Sequence, residues 1–212
     1  MKIGLDEAAR IMVDTYEGAN RADVKIKIDV AGVQAVFLKN GILVIPGTNE
    51  LSDWLDFNLN VTHNAPPDTH GFTVVPGDSG AMWHAGFLEH AQIVYAFAKP
   101  LQPKMIIGHS LGAASAQIVG SSLKVPAIAF ASPGTKRGKS KVAGEGWVLN
   151  LCRLDDAVCH VPPVVMGFRQ IGSRYWLNPK IPDMDERHSM PNYISALGEP
   201  HIKERVPGRW PT

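Results

Sequence analysis

The sequence of 212 residues predicts an α/β protein in which helices cover both faces of a mostly parallel sheet. Apolar runs of strand length alternate with helical patterns through the middle of the chain, which is typical of such sheets. An Asn-Gly pair between two apolar runs indicates an antiparallel hairpin near the N-terminus. Neither a repeat nor a linker divides the chain, so we predict a single domain over residues 1–212.

The N-terminal part of the chain predicts one helix followed by antiparallel strands. Apolar residues recur at three- and four-residue spacing from Leu5 to Tyr16, which predicts an amphipathic helix. The run "VKIKIDV" from Val24 alternates apolar and polar residues, as a half-buried strand does. The stretch "VQAVFLKNGILVIPG" then predicts a hairpin at Asn40-Gly41, because both residues tolerate positive φ. Residues 51–80 are rich in Asn, Asp, His, Pro and Gly and predict a long irregular crossing.

The remainder of the chain predicts alternating helices and strands. "MWHAGFLEHAQIVYAFAKPL" has helical spacing and would end at Pro100, and a second helix is predicted from Leu111 to about Val119. "KMIIG", "VPAIAFASPG" and "GWVLNLCRLDD" are apolar runs that predict strands. "GFRQIGSRYWLN" indicates a later strand or hairpin, and "HSMPNYISAL" a C-terminal helix.

Composition and charge exclude several classes of protein. A net charge of +1 predicts no strong attraction to nucleic acid or to anionic membranes. No apolar run approaches the roughly 18 residues that a membrane-spanning helix needs. The N-terminus has early acidic residues and no unbroken apolar stretch, so we predict no signal peptide, no integral membrane association and a cytoplasmic location. Cys152 and Cys159 are too few for a disulfide framework or a four-cysteine zinc site, and we interpret them as reduced thiols.

The pentapeptide Gly-His-Ser-Leu-Gly at residues 108–112 fits the motif G-x-S-x-G. In this motif a serine stands on a sharp turn between a strand and a helix, and the glycines allow the backbone segments to approach closely. The serine hydroxyl then lies at a helix N-terminus, where backbone N–H groups face a developing negative charge. An apolar run precedes Ser110 and a helical pattern follows it, so we predict a nucleophile rather than an ordinary turn serine.

A serine nucleophile needs a base, which is usually a histidine oriented by a carboxylate. His160, His188 and His201 lie downstream of the serine, and Asp155 and Asp156 follow a predicted strand. His188 is favoured because it lies on a separate loop before the last helix. His160 would share a short loop with the acid, and His201 falls in a polar tail.

In five ordered blocks, the chain resembles the class 3 lipases, the fungal-lipase-like branch of the α/β-hydrolases. The blocks extend over most of the chain, from Ile42 to Ile194. They are "ILVIPGTNELSDWLDFNL", "WHAGFLEHA", "IIGHSLGAASA", "LDDAVCHVPP" and "HSMPNYI". In this order, the five blocks are similar to the family's oxyanion block, its His-x-Gly-Phe helix start, its elbow, its acid loop and its terminal His-Ser-x-x-x-Tyr block. It implies an α/β-hydrolase fold.

The resemblance also implies the roles of individual residues. Ser110 matches the family's nucleophile, Asp156 its acid and His188 its base. Thr48 matches the residue whose hydroxyl and N–H serve the oxyanion hole, and the N–H of Leu111 matches the second donor.

Three details qualify this match. Asp156 is preferred to Asp155 because Val158 and Pro162 then fall on the family's spacing. The sequence Ile-Pro-Gly at residues 45–47 stands where the family has Phe-Arg-Gly, and Cys159 replaces a proline of the acid loop.

The resemblance implies a serine carboxylic-ester hydrolase, a lipase or esterase, that forms an acyl-enzyme and needs neither cofactor nor metal. The segment of residues 60–80 is polar and proline-rich and lacks the apolar helical stripe of a lid, so we expect short- to medium-chain acyl esters as substrates. A lysophospholipase or acyltransferase with the same three residues is an alternative. A non-catalytic binding protein of the same fold is a weaker one. The natural ester and the oligomeric state are left open.

Several other residues have a functional and a structural interpretation. His109 and His84 are predicted to pack or hydrogen-bond beside the elbow rather than to take part in the chemistry. A loop with His63, Asp68 and His70 lacks metal-ligand spacing and is interpreted as solvated. Four aromatic residues could wall an acyl pocket or fill the core, namely Trp54, Phe57, Phe72 and Trp83.

Overall fold

The computed structural model describes residues 1–18, 22–48, 72–181 and 186–212. Several sequence interpretations lie outside these residues: those for His63, Asp68 and His70, for Trp54 and Phe57, and for most of the irregular crossing. Within the described part of the chain, no helix is long and apolar enough to cross a membrane.

The described residues form strands and helices in the alternating order that the sequence predicts. The strands are β1 Ile3–Gly4, β2 Val24–Val30, β3 Val33–Leu38, β4 Ile42–Ile45, β5 Val74–Pro76, β6 Met82–His84, β7 Met105–His109, β8 Ala127–Phe130, β9 Lys136–Arg137, β10 Val148–Arg153, β11 Phe168–Arg169, β12 Ser173–Leu177 and β13 Arg209–Trp210. The helices are α1 Leu5–Tyr16, α2 Ala85–Leu101, α3 Leu111–Leu123, α4 Met190–Gly198 and α5 Pro200–Lys203.

The central sheet has seven strands in the order β12-β10-β8-β7-β4-β3-β2. Strands β4, β7, β8, β10 and β12 are parallel to one another, β3 pairs antiparallel with β4, and β2 pairs antiparallel with β3. Every residue of β4, β7, β8 and β10 is buried. Burial on both faces explains why these strands read as continuous apolar runs. The mostly parallel sheet with an N-terminal antiparallel hairpin is confirmed.

The turn at Asn40-Gly41 joins β3 and β4 as predicted, but through a three-residue loop. Gly41 has φ of 91°, and its N–H donates to the carbonyl of Leu38 at 3.0 Å. The side chain of Asn40 instead accepts from the N–H of Ile42 at 3.1 Å. This geometry fits a turn followed by a glycine bulge. Strand β2 is more exposed than the half-buried strand that its alternation predicts, since it lies at the sheet edge.

Helices cover both faces of the central sheet, as predicted. On one face, α2 and α3 pack on each other and bury side chains such as Phe87, Val94 and Val119 against the strands. On the other face, α1 and α4 pack together and bury side chains such as Met12 and Tyr193. The active-site elements described below come from both layers, because α3 begins at one face and α1 and α4 lie on the other.

Two predicted helix boundaries are wrong. The segment Met82–His84 is strand β6, because it pairs with β5 and β9 in an antiparallel sheet of the order β11-β9-β6-β5. Helix α2 therefore starts at Ala85, and Pro100 lies in its last turn. Helix α3 extends four residues beyond the predicted Val119 and ends where Lys124 adopts φ of 54°.

Three strand pairings have no local signal in the sequence. Strands β11 and β12 do not form a hairpin, since β11 pairs with β9 and β12 pairs in parallel with β10. Strand β1 pairs with β13, which joins the two ends of the described chain. Each of these contacts depends on elements that are remote in sequence.

Candidate active site

Ser110 occupies the turn between β7 and α3. Its φ of 61° and ψ of −125° lie in a region that non-glycine residues rarely adopt, and such strain costs on the order of 1–3 kcal/mol. The N–H of Ser110 donates to the carbonyl of Phe130 in β8 at 3.1 Å, and its own carbonyl accepts from the N–H of Ala113 at 2.9 Å. The strand, strained turn and helix expected of a nucleophile elbow are therefore present.

The two glycines of the elbow are required by close backbone contacts. A Cβ on Gly108 would meet the carbonyl oxygen of Gly112 and lie 2.7 Å from the Cβ of Ala116. A Cβ on Gly112 would meet the carbonyl oxygen of Ile45 and lie 2.7 Å from that of Pro46. Helix α3 thus begins in direct contact with the end of β4, and this contact positions Ser110 beside the loop that follows β4.

The side chains of Ser110, His188 and Asp156 form a line of hydrogen bonds. His188 Nε2 lies 2.9 Å from Ser110 Oγ, and His188 Nδ1 lies 2.9 and 3.0 Å from the two carboxylate oxygens of Asp156. A carboxylate only accepts, so Nδ1 carries the hydrogen and Nε2 is free to accept from the serine hydroxyl. The orientation is the one that a general base requires.

The alternative acid and bases lie in other contacts. Asp155 pairs with Arg153 through hydrogen bonds of 2.6 and 2.9 Å, and this pairing lowers the pKa of Asp155. His160 stacks on Trp176, with Nε2 3.0 Å from the carbonyl of Leu154. His201 Nε2 lies 3.0 Å from the carbonyl of Asn178. None of these three residues contacts Ser110 in the described part of the chain.

Tyr193 of α4 supports the carboxylate of Asp156, which is almost fully buried. The Tyr193 hydroxyl donates to Asp156 Oδ2 at 2.8 Å, and the N–H of Val158 donates to Oδ1 at 3.0 Å. Burial raises the pKa of Tyr193 well above 10, so its hydroxyl remains protonated as a donor. The sequence analysis did not assign this contact to Tyr193, although the residue belongs to the His-Ser-x-x-x-Tyr block.

His109 of the elbow contacts the base loop and helix α1. Its Nε2 lies 3.0 Å from the carbonyl of His188, and its Nδ1 lies 2.7 Å from the hydroxyl of Tyr16. Burial and the neighbouring His188 lower the pKa of His109 well below 6.5. The expectation that His109 hydrogen-bonds beside the turn agrees with these contacts. The involvement of Tyr16 was not predicted, because its spacing on α1 marks it only as part of an apolar face.

His84 has a structural place apart from Ser110. Its Nδ1 accepts from the N–H of Phe87 at 3.4 Å and caps α2, and its ring lies 4.4 Å from that of Phe87. Burial lowers the pKa of His84 to about 4. Of the aromatic residues considered for an acyl pocket, Trp83 is buried with α2 and α3, and Phe72 is buried against Val161 and Phe168.

Of the two predicted oxyanion residues, Thr48 shares a cavity with Ser110 and Leu111 follows Ser110 in the chain. Thr48 lines the same cavity as Ser110, two residues beyond the proline that contacts the elbow. Leu111 is the first residue of α3, where backbone N–H groups have no partner within the helix and the helix dipole favours negative charge. This placement fits two donors that converge on an oxygen bound at Ser110.

A cavity of about 400 Å³ opens beside Ser110. Its volume falls in the range of small-molecule sites. Its walls come from α1, the loop after β4, the elbow and the start of α4, and the lining residues are Val13, Tyr16, Glu17, Thr48, His109, Ser110, His188, Ser189, Met190 and Pro191. Apolar side chains from α1 and α4 dominate the surface, which suits an acyl or alkyl group.

Neither a metal cluster nor a disulfide accompanies the site in the described ranges. These residues contain no group of three or more His, Cys, Asp or Glu side chains that could hold a metal ion. Cys152 and Cys159 are both buried free thiols.

The chain was compared with known proteins by sequence and by structure. No protein-family model matches the sequence, and no curated protein sequence matches it. Solved structures do match. They include lipase II from Rhizopus niveus, at 19% identity and a TM-score of 0.59, with 81% of this chain and 77% of that chain covered. The Rhizomucor miehei lipase propeptide complex matches at 18% identity and a TM-score of 0.56, with 80% and 66% covered.

A mutant form of MDLA from Penicillium cyclopium matches at 17% identity and a TM-score of 0.54, with 74% of this chain and 64% of that chain covered. The chain has the α/β-hydrolase fold. It spans slightly less than two thirds of the length of the Penicillium and Rhizomucor structures. At these identities the similarity establishes the fold, and the chemistry must be argued from the site.

Within the α/β-hydrolase fold, the three hydrogen-bonded residues stand at the expected places along the chain. Ser110 follows β7, Asp156 follows β10, and His188 precedes the final long helix α4. This is the order of nucleophile, acid and base that is typical of α/β-hydrolases. The predicted fold is confirmed.

Proposed function

We propose that the protein is a serine carboxylic-ester hydrolase with Ser110 as nucleophile, His188 as base and Asp156 as acid. The observation that carries the proposal is the line of hydrogen bonds from Ser110 Oγ through His188 to Asp156, which opens onto an apolar cavity. The similarity to solved fungal lipases supports the same class of reaction.

The reaction follows from the geometry in two steps. In the first, His188 Nε2 takes the Ser110 proton, Ser110 Oγ attacks the ester carbonyl, and the alcohol leaves with the proton from His188. Thr48 and the N–H of Leu111 stabilise the negative oxygen of the tetrahedral intermediate. In the second, water loses a proton to His188 and attacks the acyl carbonyl, and Ser110 Oγ leaves with that proton as the carboxylic acid is released. Asp156 stabilises the positive charge on His188 in both steps.

The size of the cavity supports acyl chains of short to medium length. Its volume of about 400 Å³ suits a small ester, and its walls offer few polar partners. No cofactor takes part in the proposed reaction. We further propose that residues 1–212 form one domain, since the site draws on side chains from Tyr16 of α1 to Tyr193 of α4. The cytoplasmic location stays a prediction.

Hydrolysis of p-nitrophenyl acetate, butyrate, octanoate and palmitate tests the proposal with wild type and Ser110→Ala. Loss of a serine nucleophile costs on the order of 10⁶-fold in rate, so we expect the variant to fall to background on every ester. Ser122→Ala, which removes a hydroxyl from the other end of α3, serves as the matched control and keeps full activity.

A serine-reactive phosphonate provides a second measurement, since it labels wild type and not Ser110→Ala if Ser110 is activated. Full esterase activity in Ser110→Ala would overturn the assignment of the nucleophile. Wild type that neither hydrolyses an ester nor takes up the phosphonate would favour a non-catalytic binding protein. Release of fatty acid from lysolipids would indicate the lysophospholipase alternative. Transfer of the acyl group to an added alcohol would indicate the acyltransferase alternative.

A further inference from the structure

Four groups outside the line of Ser110, His188 and Asp156 form a second chain of hydrogen bonds. The N–H of Gly47 lies 2.6 Å from the hydroxyl oxygen of Tyr16, and that hydroxyl lies 2.7 Å from Nδ1 of His109. Nε2 of His109 lies 3.0 Å from the backbone carbonyl of His188. The chain therefore starts beside Thr48 and ends on the proposed base.

The direction of every bond in this chain is determined by chemistry. The carbonyl of His188 can only accept, so His109 carries its hydrogen on Nε2 and presents Nδ1 as an acceptor. The Tyr16 hydroxyl must then donate to Nδ1, and its oxygen accepts from the N–H of Gly47. Both side chains are used in one orientation only, and neither can turn without losing two hydrogen bonds.

Neither side chain changes its charge in the range where esterases work. Burial of the hydroxyl raises the pKa of Tyr16 to about 12, although the residue as a whole is 41% exposed. Burial and the proximity of His188 hold the pKa of His109 well below 6.5. These four hydrogen-bonded groups, which we call the relay, therefore hold their neighbours in place and do not transfer protons.

Both ends of the relay contact groups whose positions matter for the proposed reaction. A Cβ on Gly47 would lie 2.7 Å from the Cβ of Ser110 and 3.1 Å from the Tyr16 hydroxyl. The backbone at Gly47 therefore packs closely against both the nucleophile and the relay. Thr48 is the next residue. At the other end, the ring of His109 also packs at 4.7 Å from the ring of His188.

We propose that Tyr16 and His109 are positioning residues, and that their relay holds the oxyanion loop at Gly47-Thr48 and the base His188 in register with each other. This role rests on the proposed function. Through the relay, helix α1 becomes part of the catalytic machinery, since the hydroxyl of Tyr16 is the only side-chain link in the relay that does not come from the elbow.

Tyr16→Phe isolates the relay, because it keeps the ring that lines the cavity and removes only the hydroxyl. Displacement of catalytic groups by about 1 Å costs up to 10²-fold in rate. We expect kcat on p-nitrophenyl butyrate to fall 10- to 100-fold, with KM within threefold of wild type. Tyr95→Phe on α2, far from Ser110, is the matched control and should leave both constants unchanged.

A double-mutant cycle separates a relay from two independent packing contacts. The variants are Tyr16→Phe, His109→Asn and the pair, each with its thermal midpoint measured beside kcat and KM. If the two residues act as one relay, the pair should fall within threefold of the slower single variant, because one break already disconnects both ends. Losses that multiply would show independent roles and would overturn the relay.

The outcomes distinguish the relay from the function on which it rests. Ser110-dependent hydrolysis in wild type together with an unchanged kcat in Tyr16→Phe would refute the relay and leave the ester hydrolase intact. A raised KM at constant kcat would also refute it, since that result assigns Tyr16 to substrate binding alone. Wild type without any Ser110-dependent reaction would overturn the proposed function, and the relay with it.

Discussion

Ser110 is positioned by backbone groups, whereas Asp156 and His188 are positioned by side chains from distant elements. The serine depends on a strained φ, a hydrogen bond to β8 and two glycines that admit close backbone contacts. The acid depends on Tyr193 of α4, and the backbone carbonyl of the base is bound by His109 of the elbow.

This difference separates two kinds of sensitivity to substitution. A change at the elbow acts through sterics, because a new methyl group has no space between strand and helix. A change at the acid or base acts through hydrogen-bond direction, because the packing around these loops tolerates an isosteric side chain. The elbow should therefore fail by losing its shape, and the acid–base half by losing its chemistry.

Asp156→Asn should give the largest effect of the variants that test this comparison. An asparagine amide facing His188 Nδ1 would donate rather than accept, and the imidazole would then carry its hydrogen on Nε2, where it cannot take the Ser110 proton. We expect kcat to fall on the order of 10⁴-fold, the loss known for this change in a serine protease triad. The thermal midpoint should change little, since Tyr193 can accept where it now donates.

Asp155→Asn is the matched control, because it makes the same change on the neighbouring residue. Asp155 binds Arg153 rather than His188, so the control should keep kcat within about threefold of wild type, while the thermal midpoint should fall because the buried Arg153 loses its charged partner. Equal losses in the two variants would mean that the loop responds to charge as a whole. A larger loss of kcat in Asp155→Asn than in Asp156→Asn would mean that Asp155, and not Asp156, is the acid.

Gly108→Ala tests whether close backbone contacts at the elbow position Ser110. The new Cβ would meet the carbonyl oxygen of Gly112 and the Cβ of Ala116, so β7 and α3 must separate. Such overpacking typically costs about 1–3 kcal/mol in the free energy of unfolding, and the displaced serine should lose about 10²-fold in kcat.

Gly146→Ala is a suitable control for this change, because a Cβ at that position meets nothing within 4 Å. Thermal unfolding and ester hydrolysis should both remain at wild-type values in the control. A Gly108→Ala protein that keeps its thermal midpoint and its kcat would contradict the steric account of the elbow.

The same division explains how far the sequence could predict the molecule. Buried parallel strands such as β7 and β10 were predicted, because burial on both faces produces uninterrupted apolar runs. Strand β6 was predicted as helix, because its spacing continues that of α2 and only pairing with β5 and β9 makes it a strand. The pairing of β1 with β13 joins two-residue segments that carry no periodic signal.

The site divides in a similar way. Ser110, Asp156 and His188 stand in motifs with fixed spacing, so they could be named from the sequence and are found within hydrogen-bonding distance. Tyr16 stands in no such motif, and the motif that contains Tyr193 did not indicate its contact with Asp156. Their hydroxyls reach the site only after α1 and α4 pack on the same face of the sheet, and that contact is tertiary.

The smallest predicted effect concerns a buried histidine that supports the elbow from the opposite face. His90 of α2 is 8% exposed, and its Nδ1 lies 2.6 Å from Ser115 Oγ in α3, the helix that begins at the elbow. Burial lowers the pKa of His90 to about 4 in the folded protein, against an ordinary value of 6.5. As the pH falls below about 6.5, the unfolded chain therefore binds this proton before the folded one does.

The free energy of unfolding should accordingly be highest above pH 6.5 and should decrease as the pH falls toward 4. One such proton gives a slope of up to about 1.4 kcal/mol per pH unit, and His84 adds a similar term because burial lowers its pKa to about 4 as well. Urea unfolding of wild type and His90→Gln between pH 7.5 and 4.5 measures the slope. In the variant, the slope should correspond to about one proton fewer taken up on unfolding.

A slope in His90→Gln equal to that of wild type would mean that His90 titrates alike in the folded and unfolded states, and that its burial beside Ser115 carries no electrostatic cost. The expected result instead places a pH-sensitive contact beneath the elbow. Mild acid would then weaken the backbone-held half of the site through its supporting helix.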